Sequence, residues 1–347
     1  MATTFTPLRV TKIDRLTEDS VAITFDPPDP PGFAFTPGQS ITIRRGDERR
    51  SYSICAPAGA PLCIGVRRVD GGAVSGWLVD QIRRGDVVEA AAPSGSFAAV
   101  LDHPARHVLI AAGSGITPTL SIAASALAHD DNSAVTLIYG NRRADTVMFA
   151  EDLADLKDRY PARFELVHVL SREPRESDIL SGRLDRQRLA KLIDALVPVD
   201  AVDHWWLCGP IGMVESARDA LLERGVTVQR IHRELFYVED EAPPPVHHDD
   251  AAPSGPTATV TVVLDGRSTV LHLPRDEPIL DAAQHVRADL PFACKGGVCG
   301  TCRARLTHGE VRMRRNFALE EDELQRGFVL TCQSLPVTDE VTVDFDA

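Results

Sequence analysis

At 347 residues, with 44% hydrophobic and 25% charged side chains, the chain is long enough for two or three domains, each with its own core. A formal net charge of −13 argues against nucleic acid as the main partner. No apolar run approaches the roughly 20 residues of a membrane-spanning helix, so no membrane association is expected.

Residues 1–102 read as short strands broken by turn chemistry. The strands are Leu8–Ile13, Val21–Phe25, Ser40–Arg44, Arg49–Ile54, Leu62–Arg68 and Val87–Ala91, with DPPDPPG, RRGD and APAGAP between them. Six strands with one helix near Ser75–Ile82 predict a small antiparallel barrel. From Arg106 the pattern changes to apolar strands alternating with helix-length segments. HVLIAA precedes TLSIAASALA, and VTLIY precedes a helix around Met148–Arg159. FELVHVL precedes Arg186–Leu196, HWWLC precedes Met213–Arg224, and VTVQRI closes the series. That alternation predicts a parallel, doubly wound α/β domain over residues 103–237.

Residues 238–257, VEDEAPPPVHHDDAAPSGPT, are rich in acids and prolines and read as a linker. Twenty flexible residues span on the order of 25 Å root-mean-square, so a swinging C-terminal domain is expected. His247 and His248 read as solvated linker residues rather than metal ligands. From Thr259, TVTVVL-DG-RSTVLHL is a hairpin signal across Asp265–Gly266. A helix at Pro278–Val286 and a cysteine loop follow, which suits a β-grasp ferredoxin fold over residues 258–347.

Four stretches carry chemistry. On a barrel strand, Arg50 can pair with a pyrophosphate as a fixed fork, and Tyr52, two residues on, can stack on a flavin ring. Ser53 can donate to ring heteroatoms; an ordinary surface strand is the competing reading. Gly72-Ala73-Val74-Ser75 precedes the predicted helix, where Ser75 is expected as the N-cap of a phosphate-binding terminus. Gly113-Ser114-Gly115-Ile116-Thr117-Pro118 lies between the first α/β strand and its helix; its glycines let backbone approach a diphosphate, and Pro118 fits the first helical turn. At the ends of the next strands stand Arg142, Arg143, Ser171 and Arg172, suited to a 2′-phosphate, which favours NADPH over NADH. Cys208-Gly209-Pro210 ends the fourth strand and places a polarisable group at the sheet crevice; a buried structural cysteine is the alternative.

The cysteines are the most specific signal. Cys294, Cys299 and Cys302 follow C-x4-C-x2-C spacing, and Cys332 comes after 29 intervening residues, the arrangement plant-type ferredoxins present to a [2Fe-2S] cluster. Zinc modules usually pair two C-x2–4-C knuckles, so a structural zinc fits this spacing poorly. Gly296, Gly297 and Gly300 allow the backbone to wrap closely. Of the seven cysteines, Cys55, Cys63 and Cys208 remain, scattered at no framework spacing. That remainder suggests a reducing compartment, and MATTFTPLRV has neither the basic nor the apolar region of a secretory leader. The chain is therefore expected to be cytoplasmic.

In this order, RSYS, GxxS, GSGITP and CGP resemble the ferredoxin–NADP reductase superfamily. With the C-terminal cysteine unit, the chain is similar to oxygenase electron-transfer components. ACKGGVCGTCRARLTHGEVRMRRNFALEEDELQRGFVLTCQS, YGNRRADTVMF, HVLSRE and HRELF are similar to the reductase subunits of bacterial phenylacetyl-CoA epoxidases. The resemblance implies FAD in the barrel, held by Arg50, Tyr52 and Ser53, with Val66 and Gly72 beside them and Ser75 at the pyrophosphate. It implies a nicotinamide-dinucleotide site of Gly113, Gly115, Thr117, Arg142, Ser171, Arg172, Cys208 and Gly209, with Phe236 supplying an aromatic near the flavin. It implies a cluster on Cys294, Cys299, Cys302 and Cys332. Tyr52, Ser53 and Cys208 would orient the reacting rings, and the partner would be the oxygenase component of a multisubunit monooxygenase. Arg303, Arg305, Arg312, Arg314 and Arg315 would dock an acidic partner surface or form a solvated face. Another oxygenase's reductase, a zinc-stapled flavoprotein and a stand-alone diaphorase are the alternatives.

Overall fold

The computed structural model describes residues 4–46, 48–175, 177–237, 256–287, 289–292, 295–319 and 321–347. The proposed linker, with His247 and His248, lies mostly outside them, and Cys294 wholly so. The chain divides into two compact units: residues 6–41 and 52–240 form one, and residues 42–51 group with 241–347 in the other.

The first sheet has six strands: β1 (Phe5–Thr17), β2 (Ser20–Asp26), β3 (Ser40–Arg45), β4 (Glu48–Ser53), β5 (Cys63–Arg67) and β6 (Val87–Ala91). Their order is β4-β3-β6-β1-β2-β5, and an antiparallel bridge from Ile54 to Ile64 links the two ends into a barrel. All six predicted strands are present. Alternation explains the barrel's inside: Val21, Ile23, Ile41, Ile43, Ile64 and Val66 are at most 1% exposed. Burying each such side chain contributes roughly 1.5–3 kcal/mol.

The barrel helix is α1 (Ala73–Asp80), which starts earlier than the sequence predicts. Its N-cap is Gly72, with no side-chain cap, so Ser75 stands on the helix's first turn. The reason is local: the Ser75 hydroxyl accepts from Val69 N–H (3.1 Å) and so braces the turn before the helix.

The second sheet is parallel, with β7 (Arg106–Ala112), β8 (Ala134–Asn141), β9 (Phe164–Leu170), β10 (His204–Pro210) and β11 (Ile231–Tyr237) in the order β11-β10-β7-β8-β9. The crossovers run through α2 (Ile116–His129), α3 (Ala150–Arg159), α4 (Arg186–Leu196) and α5 (Ile211–Leu222). Pro118 sits in the first turn of α2 as expected. One strand is displaced from its prediction. VTVQRI is not the last strand: Val226 packs into the core after α5, Val228–Arg230 is a 3-10 turn, and Ile231–Tyr237 pairs with β10 instead. β-propensity favoured the valines, but the register against Trp205–Pro210 selects IHRELFY.

The third sheet contains β12 (Thr257–Leu264), β13 (Arg267–Pro274), β14 (Arg303–His308), β16 (Phe328–Leu330) and β18 (Glu340–Asp344), ordered β13-β12-β18-β14-β16. β15 (Val311–Met313) pairs with β17 (Ser334–Pro336). Two short helices, α6 (Ile279–Gln284) and α7 (Glu321–Gln325), complete the unit. The Asp265–Gly266 turn has both φ angles positive, 56° and 68°, as a type I′ hairpin requires. Asp346 accepts from both of its amides, at 2.9 and 2.8 Å.

Candidate functional site

Strand order in the parallel sheet reverses between β7 and β10, and open α/β sheets bind ligands at the carboxyl ends of such a pair. Gly113-Ser114-Gly115 follows β7 there, and Cys208-Gly209 ends β10. The approach is close enough that a Cβ on Gly115 would lie 2.2 Å from the Cys208 carbonyl oxygen. Gly113 has φ 54°, and its carbonyl accepts from the buried Tyr139 hydroxyl at 2.9 Å. Burial pushes that phenol up, so it remains a donor. Thr117 is 1% exposed and donates to Ser114 O at 2.9 Å, fixing the turn into α2.

The barrel meets this turn at Gly65, on β5. A Cβ there would lie 2.3 Å from Thr117 Cγ2 and 2.9 Å from Phe149 Cζ. The sequence reading missed Gly65, although a glycine inside an apolar strand is a sign of close backbone approach. The side chain of Val66, next to it, is wholly buried opposite Val21, so only its backbone can face a ligand.

Ser53, at the end of β4, is 4% exposed and donates to Glu234 Oε2 at 3.5 Å. Glu234 lies in register with Cys208 on the neighbouring parallel strand. Burial pushes its carboxyl up to about 8, against the opposing donation from Ser53. Cys208 is fully buried; burial first, and then the charge on Glu234, push its thiol well up. The structure thus joins Ser53, from the barrel, to Cys208 through Glu234, a residue of HRELF to which the sequence reading gave no role. Phe236, two residues beyond Glu234 on the same strand, is partly buried against the core shared by barrel and parallel sheet.

At the outer strand ends, Arg172 N donates to Arg142 O (2.8 Å) and Ser171 N to Asn141 O (2.9 Å). The two arginines are exposed side by side, as a phosphate-binding pair needs. Among the described residues, Asn141 Nδ2 is buried without a hydrogen-bond partner, a donor available to a bound nucleotide. Arg50 pairs with Glu48 (2.8 Å) and donates to Arg49 O (2.7 Å), so a pyrophosphate there would have to compete with Glu48. Gly72 has no room for a methyl group: its Cβ would lie 2.5 Å from Ser75 Oγ.

In the C-terminal unit, Cys302 and Cys332 are 2% and 1% exposed, and Cys299 is exposed. Thr331 ties the two buried positions together, its N–H and hydroxyl both donating to Cys302 O, at 3.2 and 2.9 Å. Gln333 Nε2 donates to Lys295 O (2.7 Å) and Cys332 O (2.9 Å), fastening the loop to the segment of the fourth cysteine. Lys295, Gly297 and Gly300 all have positive φ, which wraps the loop tightly. Lys295 is anchored by Asp281 at 2.8 Å. Among the described residues no three His, Cys, Asp or Glu side chains already converge on one metal position. The donor set is nevertheless right for an iron–sulfur cluster: thiol positions on a tightly turned loop, joined by backbone bonds to a distant cysteine segment.

Two family descriptions match the chain: an oxidoreductase NAD-binding domain over residues 109–219 and a 2Fe-2S iron-sulfur cluster binding domain over residues 262–337. The chain is 41% identical to one of the subunits of the 1,2-phenylacetyl-CoA epoxidase of Escherichia coli (strain K12), covering 99% of each. It is 35% identical to the ferredoxin reductase component of 3-ketosteroid-9-alpha-monooxygenase of Mycobacterium tuberculosis, covering 98% of this chain and 95% of that one. Phthalate dioxygenase reductase shares the fold, with a TM-score of 0.63 at 23% identity and 98% coverage of both chains.

Proposed function

Since the chain belongs to the family of oxygenase reductase components that join a flavin- and pyridine-nucleotide-binding reductase to a [2Fe-2S] ferredoxin domain, we propose that it carries electrons from NADPH to the di-iron oxygenase that epoxidises phenylacetyl-CoA. The carrying observation is the meeting of three segments at the switch point. The glycine turn after β7, Cys208 on β10 and Ser53 of the barrel converge there through Glu234. A nicotinamide and a flavin ring need such a place to come face to face.

When bound, FAD accepts a hydride's two electrons together and releases them singly to the cluster; that redox chemistry is the cofactors' own. The chain's residues supply position. Gly113 and Gly115 admit the dinucleotide backbone, and Thr117 holds their turn. Cys208, kept as a thiol by burial, packs where the nicotinamide would lie. Tyr52 and Ser53 position the flavin, and Phe236 shields its edge. Glu234 is protonated at neutral pH and holds a proton next to Ser53 without placing a charge in the crevice. Arg142, Ser171 and Arg172 select the 2′-phosphate, and Cys294, Cys299, Cys302 and Cys332 hold the cluster. We place the barrel at residues 1–102, the nucleotide domain at 103–237, the linker at 238–257 and the ferredoxin domain at 258–347.

No helix among the described residues is long and apolar enough to cross a membrane. The cytoplasmic assignment rests instead on cysteines that follow no disulfide-framework spacing. The match of residues 262–337 to a 2Fe-2S domain weighs against a zinc staple. The steroid monooxygenase reductases, at 35% identity, support a second reading in which the partner is another oxygenase.

The test is anaerobic titration of the purified protein with NADPH and with NADH, followed by turnover with the oxygenase subunits. Flavin and iron–sulfur absorbance bleached efficiently by NADPH alone, with epoxide formed from phenylacetyl-CoA, supports the proposal. Equal efficiency with NADH overturns the nucleotide assignment. Electron delivery to a steroid oxygenase but not to the epoxidase overturns the partner.

A further inference from the structure

Cys55 and Cys63, which belong to none of the motifs, come together in the fold. Beyond β4, the Ile54–Ile64 bridge continues with Cys55 N donating to Cys63 O at 2.9 Å. Cys55 Sγ donates to the same carbonyl at 3.4 Å, so the two residues face each other across an antiparallel pair. Opposed residues in such a pair have Cα atoms about 4.5–5.5 Å apart, within the span a disulfide bridges. The segment that follows Cys55 is already fastened to α2 near its start: Ser121 Oγ donates to Ala56 O (2.6 Å), and Ala58 N donates to Ser125 Oγ (2.9 Å). Joining the sulfurs therefore requires little motion of the strap.

We propose that Cys55 and Cys63 form a reversible dithiol site that hydrogen peroxide oxidises to an intrachain disulfide. The structure assigns unequal roles. Cys55 is 5% exposed, whereas Cys63 is partly exposed and its sulfur accepts from the Thr24 hydroxyl at 3.6 Å. Donation from Cys55 draws the Cys63 thiol down despite burial, while the same contact and burial push Cys55 well up. Cys63 is thus the sulfur that attacks peroxide and Cys55 the one that resolves it.

In the first step the Cys63 thiolate attacks one peroxide oxygen. An S–O bond forms, the O–O bond breaks, and the departing hydroxide takes from solvent the proton that Cys63 gave up on becoming a thiolate, leaving as water. In the second, Cys55 sulfur attacks Cys63 sulfur. The S–S bond forms, the S–O bond breaks, and the departing hydroxide takes the Cys55 proton as a second water. Two electrons pass from the thiol pair to peroxide, and an external dithiol reverses the change.

Both cysteines fall within one tryptic peptide, Ser51–Arg67, between Arg50 and Arg68. The experiment treats the intact holoprotein with a small excess of hydrogen peroxide, alkylates it, digests it and weighs that peptide. The expected result is a loss of two hydrogens and of both alkylation sites, with both sites restored by dithiothreitol. In Cys55→Ser, oxidation is expected to stop at a sulfenic acid on Cys63, trapped by dimedone. The proposal is overturned if the wild-type peptide keeps two alkylatable thiols, gains oxygen without cross-linking, or links to another chain. Oxidation as fast in urea as in the folded protein would also overturn it, because the folded geometry would then play no part.

Discussion

The switch-point crevice and the cysteine loop achieve order by opposite means. The loop is local: Lys295 to Cys302 turn on positive-φ residues, and only Cys332 arrives from afar, held by Thr331 and Gln333. The crevice draws on five separate segments: Gly65, the Gly113–Thr117 turn, Cys208, Glu234 and Ser53. None is distinctive alone: the glycines leave no side chain where backbones cross, and the other three meet through the Ser53–Glu234 hydrogen bond and the register of Glu234 with Cys208. A site that must seize an inorganic cluster needs reactive groups at fixed spacing. A site that must hold two flat rings in contact needs shape, and its residues are chosen for what they leave out.

The sharpest way to break the comparison is to remove one thiol. Cys332→Ser is expected to abolish iron–sulfur absorbance and electron delivery to any oxygenase while NADPH-dependent ferricyanide reduction persists. Visible spectra, iron content and the two activities measured side by side check this. If ferricyanide reduction falls equally, the two sites are not independent.

Next in size is Gly115→Ala. Its methyl group would sit 2.2 Å from the Cys208 carbonyl oxygen, so the turn or β10 must shift. Misplacement of reacting groups by about 1 Å costs on the order of 100-fold in rate. Stopped-flow flavin reduction should show that loss with the cluster spectrum unchanged.

A smaller effect tests recognition alone. Arg142→Ala with Arg172→Ala is expected to raise the NADPH KM about tenfold, near 1.4 kcal/mol. The NADH KM should barely move; equal effects on both nucleotides would remove these arginines from the 2′-phosphate site.

The smallest signature is in stability against pH. Glu234 titrates near 8 when folded, above the ordinary carboxyl value of 4.5. The folded state therefore holds a proton that the unfolded chain releases above about 4.5. Stability from this group is greatest below that pH and is lost as pH rises through about 8, by roughly 1.4 kcal/mol per unit at most. Urea melts read by tryptophan fluorescence between pH 5 and 8 should show this slope in the wild type and a flatter one in Glu234→Gln.

What the sequence disclosed follows the same division. The 2Fe-2S domain, the type I′ hairpin and the six barrel strands were legible because spacing and period-two alternation are local signals. Glu234 was not, because HRELF entered only as a stretch of likeness, and Glu234 acquires a role only through its register with Cys208. The last strand was misplaced for a related reason: valines advertise a strand, but the neighbour in the sheet decides which residues pair. Ser75 looked like a cap until the Val69 amide claimed its hydroxyl.

The missing methyl group at Gly65 constrains how such reductases can be recombined. A barrel grafted from a relative with alanine at that position would meet Thr117 and Phe149 before its sheet could seat. A barrel seated on this nucleotide domain therefore needs glycine at that position, a requirement set by a single hydrogen atom.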